Sequence, residues 1–155
     1  MAVTKNDLSA SLEDYLEAIY NLAEAKTVAR SRDIAETLGV SRSSVTGALR
    51  ALKQRGLINH EPYGYTTLTD EGRQEAAAVV RKHDILTSFF MNVLGIEASA
   101  AQSAACRAEH TLGAEVIGRL LSFIEFVTDD GEKGYDVLAE FRKYVRKQEK
   151  GKKKT

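Results

Sequence analysis

Three residues in the second half of the chain carry side chains that bind metal ions. Cys106, Glu109 and His110 stand at positions i, i+3 and i+4, so a helix presents them together, on the face opposite its alanine-rich side. A thiolate, a carboxylate and an imidazole form a mixed donor set that suits Fe²⁺, Co²⁺, Ni²⁺ or Zn²⁺ better than Mn²⁺. The cluster indicates a transition-metal site, but a cysteine in an alanine-rich helix is also typical of a small buried apolar residue.

Two further groups extend this candidate metal set. Asp14 and Glu17 are three residues apart on a predicted helix and share one face, a pattern that is equally typical of a solvated acidic surface. His83 lies near the middle of a long predicted helix, on the side of Ala76 and Val79, where a core histidine is the alternative. By spacing alone, these three residues leave both interpretations open.

A second kind of chemistry is indicated between residues 31 and 69. Two short amphipathic helices flank Gly39, which suits a tight turn, and Ser41 is placed to cap the second helix. A hairpin follows around residues 62–64, which completes the order of a winged helix-turn-helix. Short hydroxyls and arginines on the second helix can reach phosphates and base edges. The predicted DNA contacts are Ser31, Arg32, Ser41, Arg42, Ser43, Ser44, Thr46, Arg50 and, in the wing, Tyr63.

The elements that must position these residues are almost all helical. Apolar residues recur at helical spacing except in residues 57–69, where two short strands are predicted. We expect Ser11, Ser31 and Thr69 to act as further helix caps. The predicted helices begin near residues 12, 31, 41, 70, 98 and 114, a loop covers residues 129–134, and an amphipathic segment with a frayed lysine-rich tail follows.

The formal charge of zero hides strong local differences. Residues 1–25 carry −4, residues 26–60 carry +5, residues 61–141 carry −8 and residues 142–155 carry +7. Because salt screens charge over about 8–10 Å, these local patches matter more than the total. The basic patch coincides with the predicted DNA reader, and the acidic segments contain the candidate carboxylate ligands.

Composition places the chain among ordinary soluble proteins. Its 155 residues are 43% hydrophobic and 28% charged, and its single cysteine excludes an internal disulfide framework. No apolar stretch approaches the roughly 20 residues of a membrane span. We therefore expect a cytoplasmic protein without a membrane partner. No nucleophile elbow, P-loop or dinucleotide fingerprint is present, and no small organic substrate is expected.

The chain resembles the DtxR/MntR family of metal-dependent transcriptional repressors. The resemblance runs from residue 12 to residue 126 and is carried by residues 12–20 (LEDYLEAIY), 33–41 (DIAETLGVS), 44–46 (SVT), 68–72 (LTDEG), 81–83 (RKH) and 105–110 (ACRAEH). It implies a mainly α fold with a winged helix-turn-helix at residues 1–72, a helical metal-sensing and dimerisation domain at residues 73–128 and a C-terminal amphipathic helix with a basic tail at residues 129–155. No SH3-like third domain is expected.

The resemblance also implies a homodimer that binds operator DNA. The metal ligands it assigns are Asp14, Glu17, His83, Cys106, Glu109 and His110, and the dimer core it assigns includes Ile85, Leu86, Phe89, Phe90 and Val93. Metal is then expected to bind where the first helix meets the dimerisation helices and to fix the reading helices at the spacing of the operator.

Departures from the family pattern bear on the metal. Asp14 with Glu17 resembles the manganese-sensing branch, whereas Cys106 resembles the iron-sensing branch. Thr87 and Gln102 stand where the iron branch has an acid and a histidine, which puts an ancillary site in doubt. Fe²⁺ is the first expectation and Mn²⁺ the second.

Two other functions fit parts of the sequence. One is a winged-helix regulator that senses an organic ligand or an oxidant through Cys106. The other is a metallohydrolase, because the spacing of Cys106, Glu109 and His110 is similar to that of inverted zinc peptidases. A ligating Glu109 is not free to act as a general base, so a metal-activated repressor remains the predicted function.

Overall fold

The computed structural model describes residues 8–26, 28–61, 64–128 and 132–152. The chain divides into two compact units, Met1–Arg81 and Lys82–Thr155. The elements are α1 (Ala10–Lys26), α2 (Ser31–Leu38), α3 (Arg42–Gln54), β1 (Ile58–His60), β2 (Thr66–Leu68), α4 (Asp70–Ser88), a π-helical segment (Phe89–Val93), α5 (Ala98–Ala108), α6 (Ala114–Thr128) and α7 (Glu132–Lys152). The mainly α prediction is confirmed. No described helix is long and apolar enough to cross a membrane.

The first unit is built around the apolar faces of α1, α2 and α3. Leu16 and Ile19 of α1, Ile34 of α2 and Leu49 and Leu52 of α3 are all at most 1% exposed and belong to one core cluster. Gly39 ends α2 with φ of 65°, in the left-handed region that glycine adopts without steric cost. The predicted helix-turn-helix is therefore confirmed.

A two-stranded wing follows α3. The strands β1 and β2 pair antiparallel, with Ile58 opposite Leu68 and His60 opposite Thr66. An isolated bridge joins Ala29 to Thr66, so the chain just before α2 lies against the wing. The turn residues Pro62 and Tyr63 lie outside the described residues.

The start of α4 is fixed to the end of α3 by one threonine. The Thr69 hydroxyl donates to the Gly56 carbonyl at 2.7 Å and accepts the Gly72 N–H at 3.0 Å. Gly72 itself packs against backbone, since a Cβ there would lie 1.8 Å from the Leu57 carbonyl oxygen. The predicted cap is confirmed, and it joins the residues that follow α3 to the start of α4.

Replacement of Thr69 by valine tests this cap. Thr69→Val has nearly the same shape but loses both hydrogen bonds, so we expect the free energy of unfolding to fall by about 1–2 kcal/mol. Urea unfolding measures the change. Thr67→Val is the matched control, because Thr67 lies in β2 and the described residues give it no side-chain hydrogen bond. Equal losses in both variants would contradict the capping role.

The second unit forms its own core from the end of α4, the π-helical segment and α5 to α7. Leu86, Ala105 and Val127 are at most 1% exposed, and Leu138 of α7 packs against this cluster. In the π-helical segment, the Leu94 N–H donates to the Phe89 carbonyl at 3.1 Å, one residue further back than in an α-helix. Helix α7 is therefore packed into the second unit.

Several sequence expectations differ from the structure. Ser9, not Ser11, lies before α1, where its hydroxyl accepts the Leu12 N–H at 3.4 Å. Arg30 is the N-cap of α2 without a side-chain cap bond, so Ser31 is its first helical residue. The lysine-rich tail, which we expected to be frayed, is helical as far as Lys152. Of the loop predicted at residues 129–134, residues 129–131 lie outside the described residues and residues 132–134 belong to α7. Helix ends are the least well determined feature of a periodicity pattern.

Candidate nucleic-acid interface and metal ligands

One face of α3 is buried and the other is polar and exposed. Val45, Ala48, Leu49 and Leu52 face the core. The predicted DNA contacts Arg42, Ser43, Ser44, Thr46 and Arg50 are all exposed, as is Arg32 of α2, whereas Ser31 is half-buried. The helix therefore presents hydroxyls and guanidinium groups to solvent while its apolar stripe holds it in place.

Hydroxyl groups cluster at the N-terminus of α3. Ser41 Oγ accepts the Ser44 N–H at 3.1 Å and lies 2.9 Å from Ser43 Oγ and 2.8 Å from Ser44 Oγ. The helix dipole makes this end partly positive, and short hydroxyls allow close approach by a phosphate. The end of α3 is thus suited to an anionic backbone.

A cleft of about 650 Å³ lies between α3 and the wing. Its lining comprises Arg30, Ser31, Arg42, Thr46, His60, Gly64 and Tyr65. Three of these, Ser31, Arg42 and Thr46, were predicted from the sequence. Tyr63 was also predicted but lies outside the described residues.

Arg30, His60 and Tyr65 were not predicted. The Arg30 guanidinium lies 5.1 Å from the centroid of the Tyr65 ring, and its N–H donates to the Tyr65 hydroxyl at 3.3 Å. This pair depends on the bridge between Ala29 and Thr66, which sequence periodicity does not show. The only available signal was the position of Arg30 in the basic segment of residues 26–60.

In the second unit, a buried carboxylate lies between two imidazoles. Glu109 has a fully buried side chain, and its Oε2 lies 2.7 Å from His83 Nδ1. Its Oε1 lies 3.3 Å from His110 Nε2, and the His110 side chain is 10% exposed. A buried carboxylate requires a proton, a cation or strong hydrogen bonds. Three predicted ligands therefore converge on one point.

The face assigned to Glu109 was wrong. Ala101, Ala105 and Glu109 recur every four residues and are all 0% exposed, so Glu109 continues the buried alanine stripe instead of opposing it. Helix α5 ends at Ala108, and Glu109 follows with helical backbone angles. Because a stripe of alanines leaves room beside it, a longer polar side chain fits at its end.

The remaining predicted ligands differ in exposure. Cys106 is exposed, which contradicts the alternative of a small buried apolar cysteine. Asp14 and Glu17 are half-buried on α1 and not part of a fully solvated face.

Gln102 is exposed, and within the described residues the buried Thr87 hydroxyl has no hydrogen-bond partner. Neither side chain supplies the acid or histidine of an ancillary site.

The helix that carries Cys106 begins with a carboxylate cap. Glu97 accepts hydrogen bonds from the Ser99 hydroxyl and from the Ser99 and Ala100 N–H groups. The Ser99 side-chain bond, followed by the backbone bonds, lowers the pKa of Glu97. These bonds favour the ionised form and stabilise the start of α5.

This cap predicts a pH dependence of stability. Because the pKa of Glu97 is lower in the folded chain than in the unfolded chain, its stabilisation is present at neutral pH and is lost as the pH falls below about 4. Glu97→Ala is expected to unfold at lower temperature than the wild type at pH 7, with a difference that shrinks on acidification. Thermal unfolding at several pH values measures this, and a difference that grows toward low pH would contradict the cap.

Two family models match the chain, one over each part of it. The family model "Iron dependent repressor, N-terminal DNA binding domain" matches residues 7–65. The model "Iron dependent repressor, metal binding and dimerisation domain" matches residues 69–135. The chain belongs to the iron-dependent repressor family. It is therefore a member of a family of metal-dependent transcriptional regulators, and the resemblance to DtxR/MntR repressors is confirmed.

Individual relatives of the chain include an archaeal regulator and a manganese-dependent repressor. An uncharacterised HTH-type transcriptional regulator of Methanocaldococcus jannaschii is 36% identical over 79% of this chain and 98% of its own length. A manganese-dependent transcriptional repressor in complex with manganese is 33% identical with a TM-score of 0.69 over 74% of this chain. IdeR of T. acidophilum is 30% identical with a TM-score of 0.65 over 71% of this chain.

The chain spans about half the length of these two solved structures, 53% of the first and 52% of the second. The residues that the two family models match include α3 and Glu109. Other similar structures differ in bound ion, since ScaR was solved with Zn²⁺ at 27% identity and with Cd²⁺ at 26% identity. The relatives therefore do not identify one metal.

Proposed function

We propose that this protein is a metal-activated repressor that binds operator DNA in the cytoplasm and controls genes of metal homeostasis. The observation that carries the proposal is the buried Glu109 carboxylate held between His83 and His110. Carboxylate and imidazole donors at one buried point, in a chain that also exposes a basic reading helix, support a regulator that responds to a cation.

The proposed ligands are Asp14, Glu17, His83, Cys106, Glu109 and His110. Glu109, His83 and His110 are supported by their contacts, Cys106 by its exposure, and Asp14 and Glu17 by the resemblance and their partial burial. Thiolate and imidazole donors favour Fe²⁺, which we propose as the physiological activator. Mn²⁺ is the second candidate, because the Asp14 and Glu17 pair resembles the manganese branch.

The ligands also explain how metal and DNA are coupled. A divalent cation favours the approach of acidic side chains, and Asp14, Glu17 and Glu109 are the acidic members of the proposed ligand set. Chelation by residues of α1 and of the α5 end restricts the chain to fewer arrangements, and DNA favours an ordered reader. Linkage then requires metal and DNA to strengthen each other, typically by about 1–3 kcal/mol.

The proposed homodimer needs an apolar surface outside the protomer core. Ile85, Leu86 and Val93, which the resemblance assigns to the dimer, are already buried within one chain. Helix α6 instead exposes Val116 and Phe126 by 46% and 60%. Large exposed apolar side chains on one helix support a protein–protein contact there.

The test is a DNA-binding titration under anaerobic conditions. An operator duplex is first selected from random-sequence DNA by the metal-loaded protein, and its binding is then followed by fluorescence anisotropy with Fe²⁺, Mn²⁺, Co²⁺ or Zn²⁺. We expect metal to tighten binding about tenfold to a hundredfold. An operator affinity that no metal changes would exclude metal activation.

Tyr65 provides a test of the wing. Tyr65→Ala removes the ring that holds Arg30 over the cleft, and a cation–π contact at an exposed site contributes about 0.5–1 kcal/mol. Operator affinity is therefore expected to fall about twofold to fivefold. Tyr65→Phe keeps the ring and loses only the 3.3 Å hydroxyl contact, so it is expected to bind nearly as the wild type does. Equal losses would show that the ring does not position Arg30.

A second candidate function is that of an oxidant-responsive regulator, which the exposure of Cys106 favours. In that case Cys106→Ser abolishes the response of DNA binding to peroxide, and metals have little effect. The metallohydrolase alternative requires a free general base, and Glu109 is instead bonded to His83. The family is one of transcriptional regulators, which gives no support to hydrolysis.

A further inference from the structure

We propose that a hollow between the π-helical segment, α6 and α7 binds an amphiphilic anion, namely an apolar ring system or short acyl chain that carries one carboxylate, sulfonate or phosphate group. The site lies within the second unit and uses none of the residues proposed for metal. It goes beyond the proposed function, because a metal-activated repressor needs no organic ligand.

The inner part of the site is apolar. This apolar hollow has a volume of about 280 Å³. Among the described residues, the side chains that line it are all apolar: Phe89, Val93, Leu94, Phe123, Val127, Val137, Leu138 and Phe141. A dry apolar cavity of about 150 Å³ takes up benzene in a small protein, so the larger hollow fits a two-ring system or an acyl chain of similar size.

A basic mouth adjoins the apolar hollow. A second hollow of about 340 Å³ shares Leu94 and Phe141 with the first and is also lined by Arg142, Arg146 and Glu149. The two arginines are four residues apart on α7 and outweigh the single carboxylate. An anionic headgroup is therefore favoured at this mouth over a neutral or cationic one.

The two arginines have different roles. An Arg142 N–H donates to the Asn92 carbonyl at 2.9 Å, which fixes α7 on the π-helical segment. Arg146 makes no hydrogen bond or ion pair with another described residue, so its guanidinium is available to a headgroup. We assign the principal headgroup contact to Arg146.

The π-helical segment explains why the hollow persists. The wider turn is closed by N–H bonds from Leu94 to Phe89 and from Ile96 to Phe90, so the chain here does not follow α-helical spacing. Phe89 meets Phe123 edge-on, with ring centroids 6.3 Å apart, and these rings form one wall. Phe123 and Val137 are 43% and 44% exposed, so the hollow opens to solvent and a ligand can enter it.

The experiment uses the full chain and the fluorescent probe 8-anilinonaphthalene-1-sulfonate, which combines a ring system with one anionic group. Decanoate and decanol then compete with the probe, since they share a chain length and differ in charge. Arg146→Gln removes the headgroup contact, and Lys147→Gln is its control outside both hollows. Val137→Phe fills the apolar hollow at a position 44% exposed, and Val40→Phe is its control at a position 37% exposed, in the first unit and outside both hollows.

We expect one saturable probe site per chain, displaced by decanoate much more effectively than by decanol. Arg146→Gln and Val137→Phe should each weaken binding about tenfold, as loss of a charge-assisted contact or of the apolar space implies, while both control variants bind as the wild type does. Equal competition by decanol, or unchanged binding by Arg146→Gln, would overturn the proposal. Probe binding that disappears as protein concentration and dimer content rise would show that a second copy covers the hollow and would also overturn it.

Discussion

Glu109→Gln is expected to abolish metal-activated operator binding. The amide keeps the shape of the carboxylate but has no charge, so it loses the Coulombic attraction that holds a divalent cation. Changes in groups that merely orient a metal ligand already cost about tenfold to a hundredfold in affinity. We therefore expect metal affinity to fall at least about a hundredfold.

The same substitution should leave the fold intact. The amide can still hydrogen-bond with His83, so the metal-free variant is expected to unfold within about 1 kcal/mol of the wild type. Metal titration against a competing chelator, operator anisotropy and urea unfolding together separate loss of the ligand from loss of structure. Glu115→Gln, an exposed carboxylate on α6, is the control. A variant that still responds to metal would show that Glu109 is not a ligand.

Sequence alone predicted the parts of the fold that depend on local signals. Gly39 and Ser41 define the turn and the cap of α3 within three residues, so the helix-turn-helix followed from residue types. The presence of the hairpin and the Thr69 cap also depend on local signals. The caps at Ser11 and Ser31 were wrong because several polar residues near a helix start can serve, and periodicity does not choose among them.

The candidate sites depend more on contacts between distant residues. The pairs Arg30 with Tyr65 and His83 with Glu109 are separated by 35 and 26 residues, so no helical or strand period brings them together. In the π-helical segment Phe89–Val93, backbone hydrogen bonds join residues five apart instead of four apart, and no residue type specifies this spacing. The candidate ligands were chosen from side-chain chemistry, whereas the burial of Glu109 depends on the packed alanine stripe and could not be chosen that way.

Arg42→Glu is expected to separate DNA binding from folding. Arg42 is the first residue of α3 and lines the cleft beside the wing. An acidic residue at a helix start interacts favourably with the helix dipole, by about 0.3–1 kcal/mol, so the variant should be at least as stable as the wild type. At the DNA surface the same change removes a phosphate or guanine contact and places a negative charge against the backbone.

Operator affinity of Arg42→Glu is therefore expected to fall about a hundredfold at low salt, with a smaller dependence of binding on salt concentration. Arg73→Glu is the control for net charge: it loses only an exposed pair with Glu24, and such pairs contribute little to stability. Anisotropy at several salt concentrations, with metal present, measures both variants. Equal losses would mean that overall charge, and not the position at the start of α3, governs binding. If only Arg42→Glu shows a large loss of operator affinity and its metal affinity is unchanged, DNA recognition belongs to the first unit and metal binding to residues other than Arg42.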